Sequence, residues 1–114
     1  MRAALFTPEG IFINAFGQER HGRRAIQEFW KTLFATGTFD NTNVQVTRTN
    51  VKVIRPGVAV VDRFEDAVGQ RGIQTKAALP ARKIHLTFVL TKENGQWRLA
   101  YYSAADLRSL ETLK

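Results

Sequence analysis

The order of its periodic segments constrains the fold of this chain more than any other feature. A short apolar alternation over residues 11–16 comes first, one amphipathic segment begins at Gly22, and long alternating segments fill the remainder. The amphipathic segment repeats its apolar side chains at helical spacing, at Ala25, Ile26, Phe29, Trp30, Leu33 and Phe34. A hairpin and one helix ahead of four long strands predict an α+β protein.

The strand that follows the helix changes its alternation half-way. Residues 42–55 are rich in valine, but the first two valines have one parity and the last two have the other. A bulge near residues 48–50 would return all four to one face of the sheet, and bulges bend sheets. These valines are Val44, Val46, Val51 and Val53.

Turn signals connect the later strands in antiparallel pairs. Pro56-Gly57 leads into a strand over residues 58–68, and Asn94-Gly95 joins strands at 82–91 and 96–105. The segment 69–81 is expected to be irregular and either borders a site or is mobile, and Gly37 is expected to end the helix in a left-handed cap. We therefore predict a strongly curved, mixed but mostly antiparallel sheet wrapped around the amphipathic helix, with a conical cavity between them.

Composition narrows the class of protein further. The 114 residues show no compositional break, so we expect one domain over residues 1–114. The absence of cysteine excludes disulfides, thiolate metal sites and cysteine nucleophiles, and it fits a reducing compartment. No apolar run approaches the roughly 20 residues that span a bilayer. We expect a soluble, cytoplasmic protein with no membrane partner.

The surplus of positive charge favours anionic partners or ligands but does not identify one. Net charge is +7, which attracts anions at long range. The basic residues are scattered and accompany no nucleic-acid-binding motif, so nucleic acid is not favoured as a partner. Two histidines form no metal-ligand pattern, and no phosphate-binding or dinucleotide-binding fingerprint occurs. Neither a metal nor a cofactor is predicted.

Three stretches of the sequence resemble a known family. They are FTPEGIFINAFGQERHGRRAIQEFW, RPGVAVV and LTFVLTKENGQWRLAYYSAAD, and the resemblance that they carry runs from Leu5 to about Asp106. They resemble the SnoaL-like branch of the nuclear transport factor 2-like superfamily, which includes polyketide cyclases and steroid isomerases. The resemblance implies a cone-shaped α+β fold, frequently a homodimer across the outer sheet faces. Relatives usually carry a long first helix, of which only a last turn near residues 2–6 is expected here. Three explanations for the shortened first helix are open. A partner subunit covers the exposed apolar sheet, the pocket is unusually open, or the natural chain starts upstream of Met1.

One carboxylate is the candidate base of such a pocket. Asp62 shares its strand parity with Val58, Val60 and Phe64, and this parity would place it among apolar walls. The opposite parity, which contains Arg63 and Glu65, is the alternative. Asp62 is therefore the predicted catalytic residue if the protein is an enzyme.

Five further residues are predicted to contact a ligand. Asn14 either points into the cavity or forms a hydrogen bond in its own turn. Trp30 and Phe34 lie on the apolar stripe of the helix, where relatives commonly carry a histidine at the position of Trp30. Tyr101 and Ser103 share a strand face with Trp97 and Leu99, so their hydroxyls would face the cavity, while Tyr102 would face outward.

These residues support three hypotheses about function. The first is a domain that binds an apolar small molecule, which could also carry a negative charge, between the helix at residues 22–35 and the curved sheet. A non-catalytic homodimeric interaction module is the alternative. A cofactor-independent isomerase, cyclase or dehydratase that uses Asp62 as its base is the third, so whether the chain is an enzyme is left open.

Overall fold

The computed structural model describes residues 3–36, 43–69 and 82–107. After a 3₁₀ turn at Ala3–Leu5, one helix and six strands follow within these ranges: β1 (Phe6–Ile13), β2 (Glu19–His21), α1 (Arg23–Phe34), β3 (Asn43–Arg55), β4 (Val58–Val68), β5 (Arg82–Glu93) and β6 (Gln96–Asp106). No helix in these ranges has the length and apolar character needed to cross a lipid bilayer.

The strands form one open sheet in the order β2-β1-β6-β5-β4-β3. The β1–β6 pair is parallel and every other pair is antiparallel. Register shifts interrupt β1, β3 and the β5–β6 pair, and such irregularities bend a sheet. The predicted mixed, mostly antiparallel curved sheet around one helix is confirmed, although β1 begins at Phe6 rather than at residue 11.

The hairpin and the start of the helix lie near their predicted positions, although β1 ends at Ile13 rather than at residue 16. Gly17, at φ 78°, turns the chain between β1 and β2, and Gly22, at φ 89°, precedes the helix. Both angles lie in the region that favours glycine. The helix ends at Phe34 with a right-handed Ala35, while the cap expected at Gly37 lies outside the described residues. Most of the irregular segment 69–81 and the tail after Leu107 lie outside them as well.

A bulge in β3 returns its valines to one face, as predicted. The register shifts between Val46 and Arg48, so the extra residue is Thr47, just before the expected position. A second shift occurs between Val53 and Arg55. The four valines then share the inner face of the sheet with the buried side chains of β4. They are nevertheless 47–63% exposed, because the helix contacts the opposite half of the sheet.

A bulge in β6 was not predicted, and it reverses the faces of that strand. Val89 is opposite Tyr101 whereas the next residue, Leu90, is opposite Leu99, so Ala100 is the extra residue. Leu99 packs against the core from one side of the bulge, and Tyr102 is buried on the other. Tyr101 and Tyr102 therefore exchange the faces that simple alternation assigns to them.

The core lies between the helix and the centre of the sheet. Phe6, Phe12 and Ile26 are the largest fully buried side chains. Phe12 contacts three aromatic rings, with centroid distances of 4.9 Å to Tyr102, 5.4 Å to Trp30 and 5.5 Å to Phe29. This aromatic cluster packs α1 against the sheet and forms one wall of a cavity between them.

Candidate functional site

A cavity of about 440 Å³ opens between α1 and the inner face of the sheet. Its walls are mostly apolar and aromatic, and it includes Phe12, Phe29, Trp30, Leu33, Phe34, Val44, Ile84, Leu86 and Tyr102. Its polar lining consists of Asn14, Gln18, Glu65, Arg82 and Tyr102. An apolar chamber with a few polar groups is the usual form of a small-molecule site. We call it the first cavity.

Glu65 supplies a carboxylate to this apolar chamber. Its side chain is only 11% exposed, and its Oε2 lies 2.9 Å from Nε of Arg63 on the same strand. The Nε atom makes this contact as a charge pair rather than as a well-directed hydrogen bond. Oε1 has no protein partner among the residues that the structure describes. The carboxylate therefore retains an acceptor for a ligand that donates a hydrogen bond.

Tyr102 places a phenol in the same cavity. Burial raises the pKa of Tyr102 to about 12, with the Glu65 carboxylate adding to the rise and Arg63 opposing it. The phenol consequently keeps its proton at neutral pH and can donate a hydrogen bond. The β6 bulge is the reason that this side chain, and not that of Tyr101, faces the helix.

Arg82, the cation that lines the first cavity, forms an ion pair with Asp106. Arg82 donates from Nε to Asp106 Oδ1 at 3.0 Å and from Nη2 to Oδ2 at 2.9 Å, and both side chains are 18% exposed. Its guanidinium also lies 5.6 Å from the centroid of the Phe16 ring. This arrangement joins the start of β5 to the end of β6 and limits the charge available to an anion there.

Asn14 lies at the rim, where its side chain stabilises the β1–β2 turn. Its Oδ1 accepts hydrogen bonds from the backbone N–H groups of Phe16 and Gln18, both at 3.0 Å. Its Nδ2 donates to Gln18 Oε1 at 2.8 Å. Of the two roles considered for Asn14, the turn hydrogen bond is the one observed. Trp30 and Phe34 do line the cavity, and their ligand-binding roles stay predictions.

The inward position predicted for Asp62 is wrong. The register places Asp62 on the outer face of β4, while Val61, Arg63 and Glu65 occupy the inner face. The Asp62 side chain is 41% exposed, and its Oδ1 lies 2.8 Å from His85 Nε2 and 3.3 Å from Thr87 Oγ1. The Asp62 carboxylate therefore lies on the side of the sheet opposite to the first cavity, and it cannot act as a base on a ligand bound there.

The inward positions predicted for Tyr101 and Ser103 are also wrong. Both follow the Ala100 bulge, which turns them to the outer face, opposite Val89 and Thr87 of β5. Neither lines the first cavity, whereas their neighbours Tyr102 and Ala104 do. The expectation that Tyr102 faces outward fails for the same reason.

The sequence contained partial signals for the residues that the prediction missed. The parity of Glu65 is the alternative given above for β4, and Ala59 and Ala67, two small apolar residues of that parity, are buried. For Tyr102, the only signal is that the apolar Ala104 shares its parity while Ser103 has the other. No residue type marks Ala100 as a bulge in advance.

Comparison with known proteins identifies the family. The sequence model of the SnoaL-like domain matches residues 2–105. The chain belongs to the SnoaL-like domain family. This SnoaL-like domain matches no curated protein.

Solved structures agree with the fold of the SnoaL-like domain. An uncharacterised protein with a cystatin-like fold from Caulobacter vibrioides is 20% identical, with a TM-score of 0.82 over 98% of this chain and 78% of that one. A ketosteroid isomerase-like protein from Erwinia carotovora atroseptica is 15% identical, with a TM-score of 0.74 over 94% and 79%. An NTF2-like protein of unknown function from Pseudomonas putida KT2440 is 15% identical, with a TM-score of 0.75 over 98% and 75%. At these identities the likeness establishes the fold alone.

Proposed function

We propose that this SnoaL-like domain binds a neutral, largely apolar small molecule that carries a hydroxyl group. The observation that carries the proposal is the first cavity, an aromatic chamber of about 440 Å³ with the nearly buried Glu65 carboxylate in its wall. The apolar walls favour a hydrophobic ligand, since each buried CH₂ contributes about 0.8 kcal/mol.

The polar lining supports a hydroxyl in preference to an anion. Glu65 Oε1 can accept a hydrogen bond, and the protonated Tyr102 phenol can donate one. A ligand carboxylate in this cavity would meet the Glu65 charge, and the Arg82 guanidinium is engaged by Asp106. A neutral ligand with a hydroxyl avoids that repulsion and uses the free acceptor.

Binding without turnover is the activity that we propose. An isomerase mechanism based on Asp62 has no support, because that carboxylate lies on the outer face with His85 and Thr87. One protein of similar fold is named ketosteroid isomerase-like, but a shared fold does not assign a reaction to this chain.

Binding to the first cavity can be tested with 2-naphthol by isothermal titration calorimetry. Ala104 lines the first cavity and the adjacent Ala105 is exposed, so the variants Ala104→Phe and Ala105→Phe form a matched pair. We expect saturable binding by the wild type, a loss of at least about tenfold in Ala104→Phe, and little change in Ala105→Phe. The expected preference for 2-naphthol over 2-methoxynaphthalene should shrink in Glu65→Gln. No saturable binding, or equal affinities in the two alanine variants, would overturn the proposal.

A homodimer is the second candidate, and the exposed inner face of β3 favours it. Val44, Val46, Val51 and Val53 expose 47–63% of their surface there, and the β3 residues on that face carry no charge. Two copies that each carry a net charge of +7 repel each other at long range, so an uncharged apolar face is where a second copy can approach. A twofold axis would pair this face with itself.

Sedimentation velocity across a dilution series tests the dimer. We expect the double variant Val51→Lys/Val53→Lys to shift the protein to the monomer, because it places four added charges in the contact. The double variant Gln45→Lys/Asn50→Lys adds the same charge to the outer side of β3 and should leave the dimer intact. A wild type that sediments as a folded monomer at every concentration would refute this candidate.

A further inference from the structure

A second cavity, of about 510 Å³, lies against the opposite side of the aromatic wall. Trp30 and Tyr102 line both cavities and therefore separate them. The rest of the second cavity is formed by Leu5, Arg63, Phe88, Leu90, Trp97 and Leu99. Trp97 and Leu5 are 46% and 53% exposed, so the second cavity is open to solvent at one side.

Arg63 is the one charged residue among the described residues that line the second cavity. Its guanidinium carbon lies 5.1 Å from the centroid of the Phe88 ring, and its Nε faces Glu65 Oε2 at 2.9 Å. Within the described ranges, its two terminal nitrogens, Nη1 and Nη2, have no protein acceptor. The side chain is 37% exposed, so a small molecule can reach those nitrogens.

Glu65 does not occupy the second cavity. Its side chain lines the first cavity and is absent from the lining of the second. It contacts the guanidinium at Nε and leaves the pair of terminal nitrogens available on the other edge. Two parallel N–H donors are the arrangement that binds a carboxylate through both of its oxygens.

We propose that the second cavity binds an apolar organic acid, with Arg63 as the residue that binds its carboxylate. The aliphatic and aromatic walls take the hydrocarbon part, and the terminal nitrogens of Arg63 take the anion. The net charge of +7 attracts such a ligand at long range. This site is distinct from the proposed hydroxyl-binding site, because, of these two cavities, Glu65 lines the first and Arg63 lines the second.

The test compares decanoate with decanol, which share a chain length and differ in charge. Affinities are measured by tryptophan fluorescence and calorimetry below the concentrations at which either compound self-associates. We expect the wild type to bind decanoate at least about tenfold more tightly than decanol, because the hydrogen bonds to the carboxylate are charge-assisted. This preference should disappear in Arg63→Met and persist in Arg24→Met, which removes the same charge from an exposed helix position.

Two further variants keep the proposal falsifiable if Arg63→Met does not fold. Arg63→Lys retains the charge without the two parallel donors, so it should retain only part of the preference. Trp97→Ala removes a wall of the second cavity alone and should weaken decanoate binding. Saturating 2-naphthol should not displace decanoate, because the two probes occupy different cavities. Equal wild-type affinities for decanoate and decanol, an unchanged preference in Arg63→Lys, or undiminished decanoate binding by Trp97→Ala would each overturn the proposal.

Discussion

The two tyrosines of this chain offer a direct test of the face reversal in β6. Tyr102 is 8% exposed, and burial, together with the charge of Glu65, raises its pKa from 10.0 to about 12. Tyr101, its neighbour, lies on the outer face beyond the same bulge. The variants Tyr102→Phe and Tyr101→Phe each remove one hydroxyl and leave the ring, so they form a matched pair.

The raised pKa of Tyr102 makes the free energy of unfolding depend on pH, and proton linkage gives the sign and size of that dependence. Between pH 10 and pH 12 the folded chain keeps the Tyr102 proton that the unfolded chain has lost. The unfolded state therefore binds fewer protons in this window, and the free energy of unfolding falls as pH rises. A shift of about two pH units corresponds to about 2–3 kcal/mol, present in full below pH 10 and lost by pH 12.

The assay is absorbance of the phenolate at 295 nm, which lysine titration does not disturb, combined with urea unfolding at pH 9 and pH 11.5. We expect a late phenolate transition near pH 12 in the wild type and in Tyr101→Phe, and none in Tyr102→Phe. Tyr102→Phe should also lose less stability than the wild type between the two pH values. A late transition that survives in Tyr102→Phe and vanishes in Tyr101→Phe would refute the assigned faces and the bulge at Ala100.

Four substitutions in β1 and in the turn that follows it test the packing of this region by urea unfolding. Phe12→Ala should lower the free energy of unfolding by about 3–5 kcal/mol, since the ring is 2% exposed among three aromatic neighbours, whereas Phe16→Ala, at a 68% exposed position, should cost under about 0.5 kcal/mol. A similar cost for both would contradict the core assignment. Asn14→Ala should cost about 1–2 kcal/mol, because the backbone N–H groups of Phe16 and Gln18 lose their acceptor, and an unchanged stability would argue against that turn. Gly10→Ala should cost about 1–3 kcal/mol, because the added carbon would lie 2.9 Å from the buried Phe6 ring and 3.2 Å from the Leu99 carbonyl oxygen; a stabilised variant would show that this contact is looser.

The sequence predicted the fold better than it predicted the site, and the reason is physical. Helical spacing, the glycines at the turns and the valine pattern of β3 all reflect burial of an apolar face, which many residues specify together. The position of a side chain in the cavity depends instead on single register shifts. Because of one unpredicted bulge at Ala100, Tyr102 and Ala104 line the first cavity, and the predicted Tyr101 and Ser103 lie on the outer face of the sheet. A bulge depends on the pairing of two strands, so the sequence of one strand does not reveal it.

The face of β4 was undecided for a related reason. Both parities of this strand carry apolar and acidic residues, so alternation alone does not identify the inner one. In the structure the inner face of β4 is the one that contains Glu65, because the small residues Ala59 and Ala67 of the same parity are buried. The carboxylate that meets the cavity is therefore Glu65, and Asp62 serves the outer face together with His85.

Ligand binding and self-association are expected to be coupled in this domain. Val44 lines the first cavity and also belongs to the exposed valine row of β3. A second copy placed on that row would cover the β3 side of the first cavity and would bury ligand surface that the monomer leaves in water. Because linkage is reciprocal, 2-naphthol should then tighten the dimer by the same factor by which dimerisation tightens 2-naphthol binding. Sedimentation velocity with and without saturating 2-naphthol measures this factor. Identical dimer dissociation constants in the two conditions would mean that the valine row associates without closing the first cavity.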